Sequence, residues 1–451
     1  MNKFLLLMIS LGLTVNGFAQ NPIIQTIFTA DPAPMVYHDT VFLYTSHDED
    51  NAPPGSGGFR MKDWRCYSST DMVNWTDHGA VASLKDFSWG RQDNGAWAPQ
   101  CIARNGKFYL YCPIQGSGIG VLVSNSPYGP FKDPIGKKLI QSNHVWDDID
   151  PTVFIDDDGQ AYLYWGNPNL WYVKLNQDMI SYSGKIVEDA SFAKIKGQAD
   201  PYHYQEGPWA YKHNGHYYMA YASTCCPEGI GYAMSDKPTG PWRYQGYIMK
   251  PNPKSSGNHP GIIDYKDRSY VFGFNYQLNY NLTSKHHERR SVCVEEFKYN
   301  SDGTIPELPW WSEKGVKQIG TLNPFSRVEA ETINWEEGVK TQKNRDQVYV
   351  TNIDNGDFIK VKGVNFEKGI KRFYANIASA TNGGSIAIRL DSINGVLLGT
   401  CFVNNTGGWQ NWFTKSCKVK NAKGVHDVYF IFKGDHGEKL FNFDYWKFKK
   451  K

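Results

Sequence analysis

Beyond its opening segment, this 451-residue chain has no apolar run long enough to cross a bilayer as a helix. It has no excess of either charge. The formal net charge is +3, spread without long runs, so no basic footprint for nucleic acid is expected. None of its eight cysteines lies in the CxxC clusters that hold zinc. Little of the first 320 residues shows an amphipathic helical period, which argues against a helical architecture. What the chain has in abundance is aromatic residues, 15% of the total, with 15 Trp and 28 Tyr. All-β cores consume aromatics, and clefts that stack sugars use them too.

The start combines Lys3, an apolar stretch Phe4–Val15, and small residues at Gly17 and Ala19. That pattern is expected of a cleaved secretory signal over residues 1–19, leaving an exported protein, periplasmic or secreted. The first cysteine is Cys66, so no lipid-bearing cysteine follows the signal. Export permits disulfides. Cys401 and Cys417 share the C-terminal region and could pair. Cys225 and Cys226 are adjacent, and a trans peptide would hold their Cα atoms ~3.8 Å apart, below the usual disulfide range, so a bridge between them is expected to be strained.

One phrase occurs five times, starting Asp31-Pro32, Trp97-Ala98-Pro99, Asp150-Pro151, Glu206-Gly207-Pro208 and His259-Pro260. Each copy leads through a few apolar residues and a polar turn into an aromatic-rich strand: Val41–Thr45, Phe108–Cys112, Ala161–Trp165, Tyr217–Tyr221 and Tyr270–Phe274. Turn residues between short apolar runs signal hairpins. Five hairpins at a period of roughly 50–65 residues suggest a radial β-repeat, a five-bladed β-propeller over residues 20–322. Such a ring presents an equivalent position of every repeat to one axis. By this register that position holds Asp31, Asp150, Glu206 and His259. Three carboxyl groups at one point repel, which raises at least one pKa and suits acid/base chemistry. Glycoside hydrolysis needs two such groups across the scissile bond.

The repeat stops near Asn323-Pro324-Phe325-Ser326. Residues 323–451 alternate apolar and polar residues in short runs such as Ser385–Leu390, separated by Gly/Asn-rich turns. This predicts a β-sandwich (jelly-roll) domain, packed against the first because the linker is short. The fold class is therefore all-β.

Ala30-Asp31-Pro32, Asn94-Gly95-Ala96-Trp97-Ala98-Pro99, Ile149-Asp150-Pro151, Gln205-Glu206-Gly207-Pro208 and Asn258-His259-Pro260-Gly261 together resemble glycoside hydrolase family 43, a family of five-bladed propellers. The resemblance implies Asp31 as the general base, Glu206 as the general acid and Asp150 as the group that tunes and orients Glu206, in an inverting single displacement. It implies Trp97 in the wall of the sugar subsite, with core packing as the alternative. It places His259 deep on the axis, near a bound calcium or a water cluster. Arg290 matches an arginine that reaches the substrate, with Arg289 as the competing choice. Arg327-Val328-Glu329-Ala330-Glu331 and Asn442-Phe443-Asp444-Tyr445-Trp446 resemble the first and last strands of carbohydrate-binding module family 6. That resemblance implies a structural calcium at Glu329, Glu331 and Asp444, a stacking platform at Trp409 and a sugar-bonding Asn442; whether Tyr349 supplies a second platform is open. No organic cofactor is implied.

The function expected is an exo-acting glycosidase that releases α-L-arabinofuranosyl units from plant cell-wall arabinoxylan or a related pentosan. A β-D-xylosidase would use the same acids, and an endo-acting arabinanase or xylanase would differ in its loops. Rivals of another class are a non-catalytic carbohydrate-binding protein, against which the intact Asp31, Asp150 and Glu206 argue, and a purely structural surface propeller, which predicts no bound sugar in either domain.

Overall fold

The computed structural model describes residues 21–50, 58–141, 148–193, 200 and 202–451. The proposed signal, residues 1–19, lies outside them. Among the described residues the protein is built almost entirely of antiparallel strands, with one short α-helix at Gln277–Leu282.

The first 300 residues form five sheets. Their first strands are Phe28–Tyr37, Gln100–Arg104, Thr152–Ile155, Tyr204–His213 and Gly261–Tyr265, and each pairs with the aromatic strand expected from the repeat. These first strands touch one another in cyclic order, and the fifth touches the first. The five repeat prolines, Pro32, Pro99, Pro151, Pro208 and Pro260, all line one central cavity of about 20 Å³. Proline has no N–H to donate, so it suits a strand edge with no neighbour to pair with. Between the sheets lie aromatic and aliphatic side chains such as Trp64, Phe87, Leu110 and Leu122, all fully buried. The ring is closed by its ends: Ile23 N–H donates to Val292 O at 2.8 Å, and the Asn21 side chain brackets Val294 from both sides.

The C-terminal part is a β-sandwich of two sheets. One contains Lys340–Asn344, Gln347–Thr351, Asn442–Lys450, Ile370–Ala378 and Phe413–Lys418; the other Trp335–Glu337, Phe358–Asn365, Val425–Lys433, Gly384–Leu390 and Leu397–Val403. The expected alternation holds: Ile386, Ile388 and Leu390 are buried between the sheets, whereas Ser385, Ala387 and Arg389 are only partly covered.

The two parts are packed together. The strand Thr332–Ile333 leaves the sandwich and extends the first sheet by pairing with Thr76 and Trp75. Buried Asn74 accepts from Lys362 N–H at 2.8 Å and donates to Lys362 O at 2.9 Å, so one side chain completes a backbone pairing across the junction.

Candidate active site

Asp31 and Asp150 occupy the same left-handed backbone conformation, with φ of 52° and 55°. The region is sparsely populated by residues other than glycine, and it aims both carboxyls at the axis. In the fourth repeat that position belongs to Gly207 (φ 59°), so Glu206 stands one residue earlier than the sequence register assigned it. The strand pairings agree: Glu206 pairs with Ala222 as Ala30 pairs with Ser46. A Cβ at Gly207 would stand 3.0 Å from the His259 ring. A side chain there would crowd the imidazole, and the carboxylate is carried by its neighbour instead.

The four groups still converge. His259 Nδ1 is 3.3 Å from Asp31 Oδ1, and its Nε2 is 3.0 Å from Glu206 Oε1 and 3.8 Å from Asp150 Oδ2. The imidazole is therefore a spacer between Asp31 and Glu206. Arg290 Nη1 donates to Asp31 Oδ1 at 2.8 Å, and Ser46 Oγ donates to Asp31 Oδ2. Arg290 is held in turn by Asp48, through Nε at 3.0 Å and Nη2 at 2.9 Å. This decides between the two arginines: Arg290 is buried against Asp31, while Arg289 bonds to Asp50 O. Asn167 Nδ2 donates to Glu206 Oε2, and Gln205 Nε2 donates to Asn167 Oδ1 at 3.2 Å, which fixes the amide's orientation.

Burial, with smaller contributions from the Glu206 and Asp31 charges, pushes the Asp150 carboxyl up to about 8 against the opposing pull of His259. Burial alone would depress His259, but Asp150, Asp31 and Glu206 outweigh it and hold the imidazole protonated, up to about 10. The carboxyl expected to be raised among the three is thus Asp150. Asp150, Glu206 and His259 offer atoms within 4.8 Å of one another, a grouping that could hold a metal. Two carboxylates and one imidazole nitrogen make a donor set poorer in oxygen than calcium prefers.

The pocket above these groups has a volume of about 110 Å³ and is walled by Phe59, Met61, Trp97, Ile149 and Asn167. Trp97 is only partly buried; it lines the pocket and also packs on Phe59, edge to face at 6.1 Å. Sequence reasoning missed Ser46, Asp48, Phe59, Met61, Ile149 and Asn167. Ile149 stands in the quoted motif beside Asp150 but was given no role; the others lie outside the repeated phrase, so repetition gave them no signal.

The remaining expected site residues lie in the sandwich, away from this pocket. Trp409 is 37% exposed. Asn442 is buried, and both ends of its amide are engaged, with Trp409 O at 2.8 Å and the Thr351 hydroxyl at 2.7 Å. It braces the Trp409 loop. Tyr349 is buried under Trp412, ring edge to face at 5.2 Å, and its hydroxyl accepts from Gln410. Arg327 bonds Glu329 through two nitrogens and reaches Asp444 at 3.3 Å. Glu331 Oε2 is buried with no hydrogen-bond partner, and burial, then Glu329, Asp77 and Asp444, push its carboxyl well up. An orphaned buried carboxylate oxygen is what a hard cation such as calcium takes, but Arg327 occupies Glu329 and Asp444, and among the described residues the three acids do not gather within 4.8 Å.

Comparison with known proteins agrees with this geometry. Residues 19–305 match the profile of glycosyl hydrolases family 43, and residues 329–450 that of the family 6 carbohydrate binding module. An arabinoxylan arabinofuranohydrolase of Bacillus subtilis is 37% identical over 95% of this chain and 92% of its own length. One from Paenibacillus polymyxa is 34% identical over 95% of this chain and 74% of its own. A crystal structure of the glycoside hydrolase family 43 arabinoxylan arabinofuranohydrolase from Bacillus subtilis, in complex with cellotetraose, superposes with a TM-score of 0.85 at 34% identity, covering 96% of this chain and 98% of that one. Matched over most of its length by sequence and by fold, the chain belongs to glycosyl hydrolases family 43 and carries a family 6 carbohydrate binding module behind its catalytic region.

Proposed function

We propose that the protein is an exo-acting hydrolase that releases terminal α-L-arabinofuranosyl units from arabinoxylan, by inversion. The observation that carries this reading is the near full-length similarity to two arabinoxylan arabinofuranohydrolases, in a chain that keeps all three carboxyl groups on one pocket. The five sheets are read as blades of a five-bladed propeller over residues 20–322, with the sandwich, a jelly roll, over 323–451. The small pocket favours one terminal sugar over a threaded chain.

In this reading Asp31, oriented by Arg290 and Ser46, takes a proton from water as the water oxygen attacks the anomeric carbon. The glycosidic C–O bond breaks, and Glu206 gives its proton to the departing oxygen of the xylan chain. A ring's width of imidazole separates the two acids, which leaves room for the attacking water. Asp150 and His259 set the charge around Glu206, and Trp97 flanks the bound sugar. Trp409 of the binding module would hold polymer and raise its local concentration. The signal over residues 1–19 would export the enzyme to where the polysaccharide is.

The test is hydrolysis of 4-nitrophenyl α-L-arabinofuranoside and β-D-xylopyranoside, followed by NMR of the sugar first released. Release from the arabinoside with β-arabinose appearing first supports the proposal. Release from the xyloside alone would make the protein a β-D-xylosidase, and α-arabinose appearing first would exclude inversion.

A further inference from the structure

At the junction of the two parts lies a cleft of about 810 Å³ that shares no lining residue with the axial pocket. Its floor is the outer strand of the first sheet, Trp75–Ser83. One wall is the turn Ser126–Pro130 of the second sheet, and the other is the turn Arg345-Asp346 with Gln347, which hangs from the sandwich. Tyr128 is 49% exposed. One face of its ring stacks on His78, 4.7 Å between centroids and 10° from parallel, so its orientation is fixed and the other face is free. His78 is itself held by Ser68, at 2.8 Å from Nε2. Ser126 Oγ, beside Tyr128, is shielded from solvent yet has no hydrogen-bond partner among the described residues.

The charges lining the cleft are matched in sign. Arg327 is paired with Glu329, Lys343 stands near Asp77 and Asp346, and Arg345 adjoins Asp346; the fourth acid of the lining, Glu331, is buried, and burial pushes its carboxyl well up. A charged ligand would gain little net attraction. A ligand with flat C–H faces and many hydroxyls would stack on Tyr128 and bond to Asp346 and Gln347. The volume lies in the range of small-ligand sites, and the cleft accommodates several sugar units.

We propose that this junction cleft is a second carbohydrate-binding site, which takes the unbranched main chain of a neutral polysaccharide, separate from both the axial pocket and Trp409. It rests on the carbohydrate-active reading above. It holds the polymer by both halves of the molecule at once, so a chain lying in it would also stiffen the junction.

The test uses the full chain carrying Glu206→Gln, which stops turnover, together with Trp97→Ala and Trp409→Ala, which remove the aromatic walls of the other two sugar contacts, in affinity electrophoresis through gels containing debranched linear xylan. This background should still be retarded, and adding Tyr128→Ala or, on the opposite wall, Gln347→Ala should weaken retardation at least about fivefold. Thermal unfolding of each variant checks that it is folded; if Tyr128→Ala is not, Gln347→Ala decides. No retardation of the background, or equal retardation with and without these changes, overturns the proposal. Arabinoside hydrolysis by the parent protein is read in parallel. Activity without a Tyr128 or Gln347 effect sinks the cleft alone, and a cleft effect without activity sinks the hydrolase reading alone.

Discussion

At the scale of single residues, the site is a set of acids whose roles are separated by what touches each. Asp31 is gripped by Arg290 and Ser46, Glu206 by Asn167 and His259, and Asp150 is sealed beneath them. Glu206→Gln and Asp31→Asn should each lower kcat on arabinoxylan by about 10³-fold with KM little changed; steady-state kinetics would show it. Asn167→Ala should lower kcat about tenfold and displace the pH–rate profile, because a group that orients Glu206 is lost. A purely structural Asn167 would leave that profile unmoved. The pH dependence of stability has a definite sign. Asp150 titrates near 8 in the folded protein, against an ordinary 3.8, so between those values the folded state holds the extra proton. Stability therefore falls as pH rises through that window. His259, raised from 6.5 to about 10, adds stability that is full below 6.5 and is lost as pH climbs through 10. Asp150→Asn should flatten the decline in Tm between pH 5 and 8, measured by calorimetry in parallel with the parent.

At the scale of elements, two contacts lend themselves to test. Cys401 lies on an edge strand of one sandwich sheet and Cys417 on an edge strand of the other. Both are free, and the neighbouring Cys401 thiol is the main cause that lowers the Cys417 thiol. A lowered thiol is more readily a thiolate, the reactive form. Treatment with diamide should join the two sheets, with loss of two free thiols, and raise the midpoint of unfolding by a few degrees, since closing a loop of this length is worth about 3 kcal/mol. Cys401→Ser should abolish both effects. The second contact is Asn74, whose removal as Asn74→Ala leaves Lys362 N–H unpaired at the junction, with Lys362 O kept only by Gln318, and should cost about 2 kcal/mol in urea unfolding.

What could be read at this scale from sequence was whatever repeats. The prolines and the hairpins after them recur five times, so the sheets and the convergence of the acids were legible. So was the inward alternation of Ile386, Ile388 and Leu390. Thr332–Ile333 was not, because two residues carry no period and their partner is some 250 positions away. Asn167 and Asp48 were invisible for a related reason: each acts once, on a partner chosen by the fold. The one-residue offset of Glu206 also escaped the register, since only the packed imidazole reveals why glycine stands at 207. Cys225 and Cys226 are bridged, as was considered from their adjacency.

At the scale of the whole molecule, the ring is fastened where its two ends meet. Asn21 and Ile23 lie along the strand Ser291–Phe297, and Thr29 N–H bonds Arg290 O at 3.0 Å. The same seam carries the hydrogen bond from Arg290 to Asp31, between groups 259 positions apart in the chain. Unfolding that opens the seam should abolish activity at the same urea concentration, and a loss of activity well before the loss of near-ultraviolet circular dichroism would contradict this. In the proposed mechanism the base is thus oriented by a residue made 259 positions after it. A chain still being made has no finished catalyst to act on whatever glycan it meets, and a protease that trims away Asn21 and Ile23 would disarm the enzyme as surely as an inhibitor.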